Sequence, residues 1–156
     1  MELSETAINI LMGALIFVLL LVNIYMRKRK NDEAPIGRAA GIFIDIDKNL
    51  KRMESFSFHW QTGKLNSKNW ERNKNRIDFL PEEIRAGLAN AFDMVEDINQ
   101  RIESGRKYKS DSYMAGIDVS KLKMPLEKSK TQLQEWVQEN MQNPEYQPKR
   151  RRGLFG

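Results

Sequence analysis

Apolar positions fall into one unbroken run and three periodic stripes. The run is Ala7 to Met26, AINILMGALIFVLLLVNIYM, 20 residues without a charge. At 1.5 Å of rise per residue it spans about 30 Å, the thickness of a bilayer's hydrocarbon core. It predicts a single N-terminal transmembrane helix. A buried helix of a globular core is the competing reading, but uncharged runs of this length seldom serve that way. A cleaved signal peptide needs a basic start and a small-residue cleavage site. Here Glu2 and Glu5 lie before the run, Arg27-Lys28-Arg29-Lys30 follows it, and no Ala-x-Ala site intervenes. An uncleaved anchor is therefore expected.

The basic cluster sets the orientation. Lys and Arg flanking a span stay on the cytoplasmic side. The expected layout is an extracytoplasmic end at 1–6, the span at 7–26, and a basic juxtamembrane linker at 27–37. A cytoplasmic helical domain then occupies 38–143, with a flexible basic tail at 144–156. Pro35 and Gly37 punctuate the linker. The corresponding localisation is the cell membrane, single-pass, N-terminus outside.

The stripes come next. Ile42, Ile46, Leu50 and Met53, with Phe43 beside them, recur at spacings of four, four and three, which predicts a helix from Arg38 to about Ser55. Its polar side carries Asp45, Lys48, Lys51 and Arg52. Ile84, Leu88, Ala91, Val95, Ile98 and Ile102 repeat at four and three, widened by Phe92. That helix is expected to start with Pro81 at its first position, to hold Glu82 and Glu83 at its positive end, and to stop near Lys107. Val119, Leu122, Leu126, Leu133, Trp136 and Met141 form the third stripe, interrupted near Ser129 and Lys130. Asp118 or Ser120 is its expected cap. Pro125 either kinks this helix or begins a second one at 125–142, and Asn143-Pro144 ends it.

Between the stripes the period is lost. Residues 56–69 read as a loop with aromatic anchors, after which Asn66 or Ser67 caps a short helix through Trp70 to Ile77. Residues 108–117 read as a polar connection. Nothing alternates with strand period. The fold class is all-α: one transmembrane helix followed by a bundle of three to four helices. The run 84–102 also suits a coiled-coil face for a partner, but three heptads are the lower limit for that pattern, and an antiparallel hairpin with 118–142 uses the same stripe.

Composition narrows the chemistry. The 156 residues contain no Cys and one His, His59. Disulfide frameworks, thiolate metal sites and thiol nucleophiles are excluded, and most zinc-enzyme schemes with them. No Gly-rich phosphate loop and no nucleophile motif is present. No catalytic residue, cofactor, metal or small-molecule substrate is inferred. Asp45-Ile-Asp47-Lys-Asn49 opens like a calcium loop, but Leu50 stands where that loop needs Gly and Phe56 where it needs Glu. Both aspartates are read as solvated.

The net charge of +5 favours anionic partners. It is unevenly spread: residues 48–76 hold eight cations and two acids, residues 78–103 seven acids and two cations. Phe56, Phe58, His59, Trp60 and Trp70 sit among the cations. Three roles are open to them: core packing, contact with the membrane surface, and stacking on single-stranded nucleic acid.

The candidate membrane-surface contacts are Arg27, Lys28, Arg29 and Lys30 with Lys149, Arg150, Arg151 and Arg152, directed at an anionic inner leaflet. Asn9, Gly13 and Asn23 share a face of the span and are candidates for transmembrane self-association. The expected function is a membrane-anchored helical scaffold or adaptor. It would present its domain for self-assembly or partner docking, with the exposed side of the 81–107 helix as the partner face. The alternative is a membrane-tethered nucleic-acid binder using 48–76 and the tail.

Overall fold

A computed structural model of the protein describes residues 34–148. Every regular element among them is a helix. These are α1 (Pro35–Glu54), α2 (Lys68–Asn73), a 3-10 turn at Lys74–Arg76, α3 (Glu82–Tyr108), α4 (Asp111–Ala115) and α5 (Ser120–Asn140). None of the described helices is long and apolar enough to cross a membrane. The 7–26 run lies outside the described residues.

The three long helices follow the three stripes. Ile42 and Ile46 of α1, Leu88, Val95 and Ile102 of α3, and Leu122, Leu126 and Leu133 of α5 are all buried. Burying one such side chain contributes about 1.5–3 kcal/mol, so the stripes oblige these helices to pack. The stripe of α3 is therefore spent within the domain, not on a coiled-coil partner. Helix α5 packs on both α1 and α3. It runs antiparallel to each. Lys130 reaches Asp47, Gln132 reaches Glu83, and the backbone N–H of Ile36 donates to the carbonyl of Tyr146 at 3.2 Å.

Helices α1 and α3 thus run in the same direction, and residues 55–81 must travel back along the bundle to join them. This return leg is the fourth side of an up-down-up-down arrangement. It is mostly irregular. Its backbone therefore needs hydrogen-bond partners that a helix would have supplied internally. Three buried polar side chains provide them. Asn99 accepts from the Leu65 N–H at 2.7 Å and donates to its carbonyl at 3.1 Å. Asn49 accepts from the Asn66 N–H at 2.6 Å and donates to its carbonyl at 2.7 Å. Asp45 accepts from the Asn69 and Trp70 N–H groups at 2.6 and 3.0 Å, and from both Asn66 and Asn69 side-chain amides. The carboxylate on α1 thereby caps the first turn of α2 from outside, where Ser67 at the N-cap position makes no side-chain bond. Trp70 then stacks on Phe92 of α3, ring centroids 4.8 Å apart and 7° from parallel.

Several boundaries and roles differ from the sequence reading. Asp45 is wholly buried rather than solvated. Helix α1 begins at Pro35 rather than at Arg38, because proline suits a first turn. Pro81 stands at the N-cap of α3, one position before the expected one. The 108–117 connection contains α4, capped by Ser110, whose hydroxyl accepts from the Tyr113 N–H at 3.2 Å. Helix α4 lies against α3 with Met114 buried over Gly105, where a side chain would collide with the methionine. Helix α5 is continuous through Pro125. Met141, assigned to its apolar stripe, is 55% exposed just past the helix end. The first part of the 144–156 tail is ordered. Tyr146 packs 5.2 Å from Trp136 and 6.2 Å from Phe79.

Candidate functional surfaces

The topology gives the domain two unlike poles. One holds the start of α1, the end of the return leg and the end of α5. The Ile36–Tyr146 hydrogen bond ties the first and last described segments together there. Both basic clusters named from the sequence adjoin this pole in the chain: Arg27, Lys28, Arg29 and Lys30 before it, Lys149, Arg150, Arg151 and Arg152 after it. These residues, with Asn9, Gly13 and Asn23, lie outside the described residues. Four residues separate Lys30 from Pro35, five steps of chain and a reach of about 17 Å at full extension.

The opposite pole holds the end of α1, loop 55–63, the end of α3, and α4. Helix α1 has 20 residues, so the poles are about 30 Å apart. The aromatic cluster expected as one unit is divided between the bundle core and this pole. Trp70 is core, and Phe56 and Trp60 are partly buried. Phe58 is 47% exposed, 5.2 Å from Phe56 in an edge-on contact. His59 and Trp60 form the loop tip. The Trp60 N–H donates to the Asp111 carboxylate at 2.8 Å, which fastens the tip to α4. His59 Nδ1 accepts from the Gln61 N–H, and Nε2 stands 4.0 Å from the same Asp111. This tip stands a helix length from the end that adjoins the apolar run.

Many cations of the 48–76 segment are already engaged. Lys51 pairs with Asp47, Lys64 with Glu103, and Lys74 with Glu71. Arg52 donates to the Lys64 carbonyl. The pairing shows in the acids: Lys64 holds the Glu103 carboxyl below its ordinary range. Asp47 is lowered to about 2, chiefly by its hydrogen bond from Lys130 and next by that from Lys51. Asp47 thus joins α1 to α5, and Lys130 also sits 5.4 Å over the Phe43 ring. A depressed carboxyl stabilises the fold above its unfolded value and loses that contribution as pH falls through the folded one. The window here runs from about pH 4 down to about pH 2. Asp47→Asn should remove that component from the acid-side unfolding profile while leaving the neutral-pH helix content unchanged. Unfolding curves at stepped pH, with and without the substitution, check it.

The exposed side of α3 carries Asp93, Glu96 and Asp97, with Asp97 paired to Arg101 at 2.9 Å. A groove of about 760 Å³ runs between α1 and α5 and is lined by Leu50, Met53, Val119, Lys123 and Glu127. Its lining mixes the acids Asp47, Glu54 and Glu127 with the cations Lys51, Lys123 and Lys130. Among the described residues no group of three His, Cys, Asp or Glu side chains is placed to hold a metal ion. Asp45 and Asp47 diverge, one into the core and one to Lys130.

The sequence reading missed Asp45, Asn49 and Asn99. A signal was present. Ile42, Asp45, Ile46 and Asn49 follow the i, i+3, i+4, i+7 pattern of one helix face, as do Val95, Ile98, Asn99 and Ile102. Polar residues on a core face announce buried hydrogen bonds.

A scan against protein-family models, a search of curated proteins and a search of solved structures each found no match.

Proposed function

We propose that this chain is a single-pass membrane anchor carrying a cytoplasmic helical adaptor domain, non-catalytic, that presents surfaces for a protein partner. The hydrogen bond from Ile36 to Tyr146 carries this reading. It fixes the entry and exit of the domain side by side, so both basic clusters issue from one pole. The eight cations of Arg27–Lys30 and Lys149–Arg152 then address one membrane surface, each contributing about 1 kcal/mol on an anionic leaflet. In the sequence the two clusters flank the helical domain at opposite ends, which by itself would hold it in two places. Their convergence instead supports a domain standing on the membrane by one pole, its other pole free.

Protease protection tests the reading on the full chain with a C-terminal epitope tag, in vesicles of known sidedness. The tag should be digested in inverted vesicles and protected in right-side-out ones. Carbonate extraction should leave the chain in the membrane pellet. Release by carbonate, or the opposite protection pattern, overturns the proposal.

A further inference from the structure

The pole away from the basic clusters is the most aromatic exposed surface of the described domain. Phe58, Tyr108 and Tyr113 are 47%, 67% and 44% exposed. Loop 55–63 and helix α4, which carry two of them, are joined by the bond from Trp60 to Asp111. Exposed aromatics of this kind are the side chains that dominate protein–protein binding energy. The charge here is positive. Lys107 and Lys109 flank Tyr108 and make no ion pair among the described residues, while Lys107 Nζ sits 5.7 Å over the Tyr108 ring. Residues 103–111 carry Arg106, Lys107 and Lys109 against Glu103 and Asp111, and Glu103 is paired with Lys64.

Lys109 adds a second observation. It ends α3 in the left-handed conformation, φ 49°, the only non-glycine positive φ among the described residues. Glycine fills that C-terminal position at lower cost. The fold thus holds an unpaired lysine beside exposed tyrosines, in a strained backbone conformation. Such strain is found at binding surfaces.

We propose that this pole docks an acidic protein segment bearing apolar side chains, with Phe58, Tyr108 and Tyr113 as anchors and Lys107 and Lys109 as its charge complement. The inference rests on the docking half of the function proposed above and is independent of the membrane anchor. Single-stranded nucleic acid is disfavoured because it needs a continuous basic track. The cations leading away from the pole, Lys51, Arg52 and Lys64, are turned to internal partners.

The test pans a random-peptide phage library against the full chain in lipid nanodiscs, with empty nanodiscs as the control. Enriched peptides should carry Asp or Glu beside Leu, Phe or Trp. Their affinity should fall about tenfold or more in Phe58→Ser with Tyr108→Ser, and again in Lys107→Glu with Lys109→Glu. These side chains are exposed, so circular dichroism and the melting midpoint should be preserved. Lys109→Gly should raise the midpoint by about 2–5 °C while weakening the same peptides. The proposal is overturned if no peptide is enriched, if the enriched peptides lack acidic residues or bind the variants equally, or if oligothymidylate binds this pole in their place. Failure here with normal membrane insertion would leave the topology reading standing.

Discussion

Asp45→Ala should destabilise the domain by about 3–5 kcal/mol, a large fraction of the roughly 5–15 kcal/mol by which such domains are stable. The carboxylate receives four donors, two of them backbone N–H groups at the start of α2. Alanine leaves those N–H groups without acceptors, at about 1–3 kcal/mol for each that stays buried. No neighbouring residue takes over, because Ser67 does not cap the turn. Asp45→Asn keeps the volume but offers one acceptor oxygen where two are used, so its loss should be smaller than that of alanine. Denaturant unfolding of the full chain in detergent, followed by tryptophan fluorescence, measures both. A loss below about 1 kcal/mol for Asp45→Ala would mean that the return leg is held by packing alone.

Phe92→Ala should cost a similar amount, about 3–5 kcal/mol, by a different mechanism. Its ring is 2% exposed and lies flat against Trp70. Truncation removes apolar contact and opens a cavity between α3 and the return leg. Phe92→Leu should restore more than half of the loss by refilling that space. Near-ultraviolet circular dichroism should report the missing stack directly. Phe58→Ala provides the contrast: an exposed ring should change stability by no more than about 0.5 kcal/mol.

These two residues mark where sequence reasoning succeeds and where it stops. Phe92 widens a stripe of period 3.6, and helical period is legible without tertiary knowledge. The same logic located α1, α3 and α5 to within a few residues. Asp45 lies on an equally regular face, but an acidic residue on a helix is ordinarily solvated. Its burial depends on a return leg that has no period of its own and so leaves no trace in the hydrophobic pattern. Helix α4 was invisible because five residues make little more than one turn. In the sequence Tyr146 belongs to the tail, because a lone aromatic after Pro144 gives no periodic signal. The exposed pole was partly legible: Phe58, His59 and Trp60 stood out among cations. Tyr108 and Tyr113 join them only because α3 ends where loop 55–63 begins its return, a fact of topology.

The position of α5 bears on the order in which this protein is made. It leaves the ribosome after α1 and α3, and it covers the apolar faces of both. Until it emerges, those two stripes have only each other's flanks and the return leg to shield them. The bond from Ile36 to Tyr146 joins segments near opposite ends of the described chain, so it needs residue 146 to have been made. Nascent chains lacking α5 should therefore be the form that chaperones hold and proteases remove. A stop codon or ribosome stall before residue 120 would leave an aggregation-prone fragment rather than a smaller working domain.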